Sequence, residues 1–264
     1  MKLEKIVKLT QEELYIAIKK HYKNKLLSCA EGEYITVKGD IPVMLVAHLD
    51  TVHKEQVKHI CKSEDGNIIM SPQGIGGDDR CGVFALMQIY KNLPSGNKPY
   101  LLFTCDEETG GNGAYAFAQD YESGSVDHDL YDMNFLIEID RMGLMEAVYY
   151  DCDNPDFEDI FLGYGFDTHY GTFSDICYIA PVMGCAAVNL SAGYYNAHTC
   201  HEYINIDHLM YTVDCVSDLL LGDIEYFEYM ETDHKWKNVR GWDFVSEYDS
   251  DLVYGNYTTN QKKK

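Results

Sequence analysis

Positive charge is what this sequence has least of. Lysine and arginine number 21 against 43 aspartates and glutamates, a formal net charge of −22. A phosphate backbone needs a basic surface, so nucleic acid is excluded as a partner. No apolar run is long enough to span a bilayer, which excludes a membrane-spanning helix. Met1-Lys2-Leu3-Glu4-Lys5 leads into a polar helix and not into an apolar signal core. The nine cysteines are odd in number and include no Cys-x-x-Cys pair. They read as the reduced, buried thiols of a cytosolic protein, so the expected location is the cytoplasm.

Several catalytic signatures are also missing. Gly74-Ile75-Gly76-Gly77 lacks the Gly-Lys-Ser/Thr of a phosphate loop. His201-Glu202 does not open a zinc-protease helix, because Asn205 stands where the second histidine belongs. Asp151-Cys152-Asp153-Asn154-Pro155 puts proline at a calcium-loop ligand position, with no glycine after it. No Gly-x-Ser-x-Gly elbow occurs.

What is present is enough apolar material, 46% of 264 residues, for one sizeable core. Thr10-Gln11-Glu12-Glu13 forms a capping box that opens a helix expected to run to about Leu27. Pro42 to Leu49, Tyr100 to Thr104, Asn134 to Ile139 and Ala186 to Leu190 are continuous apolar runs, the pattern of strands buried on both faces. Glu33 to Val37 is a shorter strand, and Glu64-Asp65-Gly66 turns a hairpin. Helices are expected over Gly82 to Tyr90, Gly113 to Gln119, Pro155 to Leu162 and Ile206 to Leu221. Alternating strands and helices imply a three-layer α/β/α sandwich around a mostly parallel mixed sheet. No linker interrupts it, so residues 1–224 are expected to form one catalytic domain. Residues 225–264, acidic and aromatic, are expected to form a peripheral extension.

The ionisable residues fall at the strand ends. Val43 to Ala47 runs into His48-Leu49-Asp50; Leu101 to Cys105 runs into Asp106-Glu107-Glu108; Phe135 to Ile139 runs into Asp140. In a parallel sheet these ends share the edge where open α/β folds bind ligands. Anions gathered there repel one another unless a cation compensates. Carboxylates with imidazole suit zinc, cobalt or manganese. Singly, each motif has a mundane reading: a hydrogen-bonded His-Asp pair, a solvated Glu-Glu turn, a helix-capping Asp at Asp78-Asp79. Their joint placement points to a metal centre.

His48-Leu49-Asp50-Thr51-Val52, Gly77-Asp78-Asp79-Arg80, Asp106-Glu107-Glu108-Thr109-Gly110, Ile139-Asp140 and His198-Thr199-Cys200-His201-Glu202 occur in that order. Together they resemble the dinuclear zinc exopeptidase superfamily, which includes peptidase T, carboxypeptidase G and the glutamyl aminopeptidases. The resemblance implies two divalent ions, zinc first. It implies that His48 and Asp140 bind one ion, Glu108 and His198 the other, and that Asp78 bridges them. Asp50 would orient His48, and Glu107 would be the general base. His198 is preferred to His201 because the family's last histidine lies four residues before a glutamate, here Glu202. The intervals from Asp50 to Asp78 and from Asp140 to His198 leave no room for the inserted lid of many relatives.

The implied substrate is a short peptide, with aminopeptidase action favoured. An N-acyl amino acid deacylase and a non-catalytic metal-binding protein are the rivals. Tyr194 or Tyr195 is expected to replace the lid's oxyanion donor. Asp175 is expected to bind a substrate amino group or to cap the helix after Ser174, the cap being preferred. Arg141 is expected to receive a substrate carboxylate or to neutralise the acidic cluster. The oligomeric state is not indicated.

Overall fold

The apolar runs assemble because each strand carries one apolar set for each face of a sheet. The computed structural model describes residues 1–232. The strands of the main sheet are β1 (Leu26–Ala30), β2 (Tyr34–Val37), β3 (Val43–His48), β6 (Tyr100–Thr104), β7 (Phe135–Arg141), β8 (Glu146–Val148), β9 (Asp167–Thr168) and β10 (Ala187–Ser191). A smaller sheet uses β4 (Cys61–Lys62), β5 (Ile68–Met70), β11 (Tyr194–Tyr195) and β12 (Tyr203–Asn205). The helices are α1 (Leu3–Ile6), α2 (Gln11–His21), α3 (Gly77–Asn92), α4 (Asn112–Glu122), α5 (Pro155–Gly163), α6 (Ile176–Met183) and α7 (Ile206–Leu219).

The main sheet runs β1-β2-β6-β3-β7-β10-β8-β9, and the small one β11-β12-β5-β4. β6, β3, β7 and β10 are mutually parallel; β2 and β8 join them antiparallel on either side. Val43, Leu45 and Ala47 of β3 pack with Leu101, Phe103, Phe135 and Ile137 into one core, which takes in α1, α2, α3, α5 and α7. Met44 and Val46 pack with Leu102 and Leu136 into a second core, under α4 and α6. This alternation along each strand makes the three layers. The expected α/β/α sandwich with a mostly parallel mixed sheet is the fold found.

The Thr10 capping box forms as read: Thr10 Oγ1 accepts from Glu13 N, and Glu13 Oε2 accepts from Thr10 N. The helix is shorter than expected, ending at His21. Lys25 N bonds Tyr22 O in a turn, and Leu26 and Leu27 then serve a strand. Leu26 packs on the first core and Leu27 on the second, the two-residue period of a sheet rather than a helix. The helix expected after Ser174 is α6, an apolar helix with Pro181 inside it.

Among the described residues no domain is inserted at either expected position. The Asp50–Asp78 interval holds the β4–β5 hairpin, and the Asp140–His198 interval holds β8 to β11 of the same domain. Of the expected extension, residues up to Glu231 lie beside the starts of β7 and β10: Ala186 N donates to Phe227 O, and Phe227 N donates to Asn134 O. The remainder of that extension lies outside the described residues. No helix among the described residues is long and apolar enough to cross a membrane. The nine cysteines are all free.

Candidate metal centre

Three parallel strands deliver their polar ends to one place. His48 ends β3, Asp140 lies at the end of β7, and Glu107 and Glu108 form a short 3-10 turn just after β6. Asp78 comes from the first turn of α3, where the backbone leaves helical geometry at Asp78 and Asp79 and the peptide between them is cis. His198, with a positive φ of 63°, projects from the loop between β11 and β12.

The decisive geometry is at Asp78. Its Oδ1 lies 3.1 Å from His48 Nε2, and its Oδ2 lies 3.1 Å from His198 Nε2. His48 Nε2 is also 3.4 Å from Asp140 Oδ1, and His198 Nε2 is 3.2 Å from Glu108 Oε1. One carboxylate thus stands between two imidazoles, each with a second carboxylate of its own. Two donor groups are tight enough to share an ion: His48 with Asp78 and Glu108, and His48 with Asp79 and Asp140. Asp79 was not expected there. Its Oδ1 accepts from Gly82 N at 2.8 Å, and its Oδ2 is buried with no hydrogen-bond partner.

Asp50 builds the frame. It accepts His48 Nδ1 at 3.1 Å, Glu107 N at 3.0 Å and Glu108 N at 3.0 Å. That fixes the tautomer and rotation of His48 and holds the Glu107–Glu108 turn against it. Burial opposes its charge, yet the His48 imidazole and those two N–H groups hold Asp50 below the usual carboxylate range.

The remaining acids are uncompensated. Burial pushes Asp140 well above the carboxylate range, aided by Asp78 and Asp79, and burial does the same to Glu138 and Asp79. Burial brings Glu107 to about 7 and Asp175 to about 6. Burial would lower His48, but Asp140, Asp50 and Asp78 push it well above its ordinary value. Hydrogen bonds to Asp78 and Glu108 bring His198 to about 10. Crowded acids with unpartnered buried oxygens on Asp79 and Glu138, gathered about two imidazoles, fit the charge and donor needs of a cation.

Those shifts set a pH dependence for chelator-treated protein. An acid held high in the fold keeps a proton that the unfolded chain releases from about pH 4 upward. The stability this gives is lost as pH rises through about 6 for Asp175 and about 7 for Glu107. His48 and His198, also held high, contribute fully below about pH 6.5 and lose their share above it. Asp50 and Asp78, held low, work the other way, but only below about pH 4. The Tm of metal-free protein should therefore fall from about pH 5 to about pH 8. Scanning calorimetry checks this, and a Tm rising over that interval contradicts it.

The structure corrects the expected cap at Asp175 and places the other substrate-binding candidates. Tyr194 is buried, and its hydroxyl donates to Asp140 O at 2.9 Å, with Asp140 Oδ1 at 3.5 Å, so the phenol holds a candidate ligand instead of facing an oxyanion. Tyr195 points to the other side of β11, as strand alternation requires. It bonds His208 Nδ1 at 2.5 Å and stacks on Tyr203. Asp175 makes no side-chain cap: its backbone is already helical, so the carboxylate turns inward and accepts from Thr104 Oγ1. Arg141 Nε donates to Glu146 Oε2 at 2.9 Å.

Residues to which the sequence reading gave no role in the site complete the surroundings. Asn189 Oδ1 accepts from Asp140 N at 2.9 Å, and its amide donates to Ser174 Oγ, which in turn bonds Glu138. Glu202 and His53 pair behind Asp78. A lone Asn in a strand or a His in a loop carries no sequence signal, since its partners are set by strand order alone.

Residues 34–158, which carry His48, Asp50, Asp78, Glu107, Glu108 and Asp140, match the model of peptidase family M28. The match spans just under half of the chain. It marks the protein as a metal-dependent hydrolase of peptide bonds. No curated protein matches the chain in sequence. A tripeptidase from Staphylococcus aureus superposes with a TM-score of 0.62 at 15% identity, covering 83% of this chain and 95% of that one. The aminopeptidase PepT from Bacillus cereus gives 0.60 at 14%, covering 83% and 96%. A TET aminopeptidase from a marine sediment archaeon, a Thaumarchaeota archaeon, gives 0.59 at 13%, covering 83% and 95%. At such identities the likeness speaks for the fold and not for the substrate.

Proposed function

We propose that the protein is a dinuclear aminopeptidase acting on short peptides, with zinc as its metal. The observation that carries this reading is the Asp78 carboxylate, which presents one oxygen to His48 and the other to His198. His48, Asp140 and Asp78 Oδ1 would hold one ion; Glu108, His198 and Asp78 Oδ2 would hold the other. Imidazole with carboxylate is a donor set that zinc accepts. Bound there, the ions supply Lewis acidity, which polarises the scissile carbonyl and acidifies water near neutral pH.

The chain's own groups do the rest. Glu107, raised by burial to about 7, is poised to take the proton of the attacking water and return it to the leaving amine. Asp50 keeps His48 Nδ1 protonated, so that Nε2 faces the centre. Tyr194 and Asn189 fix Asp140 from its carbonyl and its N–H.

Charge favours the free amino end of a peptide. A cleft rich in carboxylates attracts an ammonium group and repels an α-carboxylate. Arg141 is tied to Glu146, and the buried Arg80 is tied to the carbonyls of Leu49 and Leu9, so neither offers a substrate carboxylate a free guanidinium. The structural neighbours named aminopeptidase and tripeptidase agree with this choice.

Chelator-treated protein reconstituted with zinc should hydrolyse amino-acid amides, dipeptides and tripeptides, and N-acetylation should block them. Equal rates on the acetylated forms would make it a deacylase. Zinc binding with no hydrolysis of any of them would make it a binding protein.

A further inference from the structure

The loops that carry the centre are joined behind it by a residue with no role in the chemistry so far described. Glu202 is fully buried, four residues beyond His198 in the segment leading to β12. Its Oε1 accepts from Asp78 N at 3.0 Å, and its Oε2 accepts from Gly76 N at 2.9 Å. Oε2 also takes the Nε2–H of His53, at 2.6 Å. His53 belongs to the loop that leaves β3 after His48 and Asp50.

One carboxylate therefore ties together three segments that are remote in sequence: the one after β3, the one that opens α3 with Asp78, and the one that carries His198. Glycine makes the approach possible. A Cβ on Gly77 would sit 2.6 Å from Tyr194 Cβ and 3.2 Å from Glu202 Oε1. A Cβ on Gly74 would sit 2.2 Å from the His53 ring.

We propose that the His53–Glu202 pair is a positioning device for Asp78, setting the separation between Asp78 and His198 and so the affinity for the second ion. The pair touches no substrate. It acts through the backbone N–H of Asp78, which fixes where that side chain starts, and through its short tether to His198. A carboxylate suits this role and an amide does not. Three N–H groups converge on two oxygens, and glutamine would replace one acceptor by a donor. Partners at this distance from a metal typically alter its affinity by about 10- to 100-fold.

The inference rests on the dinuclear reading, and its test separates the two. Zinc is titrated into chelator-treated wild type, Glu202→Gln, His53→Leu and His53→Gln, with a competing chromophoric chelator, and apo-protein Tm is recorded alongside. Wild type should take up two ions. Glu202→Gln should bind the first ion, and its affinity for the second should fall by about 10- to 100-fold. His53→Leu should weaken the second ion by a smaller factor, and His53→Gln, which keeps a donor, should recover most of it. If wild type takes up no second ion, the dinuclear reading fails. If wild type binds two and both Glu202→Gln and His53→Leu match its affinities, the positioning role fails, whatever their Tm. If Glu202→Gln does not fold, the two His53 variants decide: unequal second-ion affinities support the role, and equal wild-type affinities overturn it.

Discussion

Exchanging Glu107 for glutamine is expected to lower kcat by about 100- to 10,000-fold, the usual share of a general acid–base group. Metal content should stay at the wild-type level. The side chain makes no hydrogen bond among the described residues, so its replacement by an isostere breaks no contact. Burial raises its carboxyl to about 7, with Asp175, Glu108 and Asp78 adding to the effect. Removing that charge relieves repulsion, and the Tm of the metal-free variant should not fall. KM should change little, because proton transfer is an interaction of the transition state. Steady-state kinetics with metal analysis on the same preparation decide the matter. A near-normal kcat would remove Glu107 from the reaction.

Asp78→Ala should have the opposite signature. It removes both oxygens that stand between His48 and His198. His198 with Glu108 then offers an ion only two protein donors, fewer than the three that zinc keeps in catalytic sites, and His48 with Asp140 reaches three only by recruiting Asp79. Metal affinity should fall by more than the roughly 10- to 100-fold expected for losing an outer partner. Activity should drop to the background of chelated protein, and excess zinc should not restore it. The distinction from Glu107→Gln is sharp: one variant is loaded and inert, the other is inert because it is empty. Wild-type zinc content in Asp78→Ala would reassign the bridge, with Asp79 the next donor in reach.

The contrast between what could and could not be read from the sequence has a physical basis. His48, Asp140 and the Glu107–Glu108 turn were legible because parallel strands buried on both faces must deliver their ends to one edge, and a carboxylate there is conspicuous. The α/β/α layering was legible for the same reason: β3 alternates Val43, Leu45 and Ala47 with Met44 and Val46 between two cores. The expectation that Asp78 and His198 join them came from the order of motifs, since their loops carry no periodicity. Where the two tyrosines point was not legible because β11 is too short to be recognised, and its side alternation decides where each phenol goes. Tyr194 turns inward to Asp140, and Tyr195 turns away to His208. Leu26 and Leu27 were misread as helix because two adjacent leucines fit either period; pairing with β2 settled the choice.

The path of the chain has a consequence for when the enzyme comes to life. Most of the polar groups at the centre lie within the first 140 residues, but His198 and Glu202 follow only about 60 residues later, just ahead of α7. The strands of the main sheet all precede His198 in the chain, the histidine proposed to complete the centre. On the proposed reading, copies released before His198 is made would lack a ligand of the second ion and would be inactive.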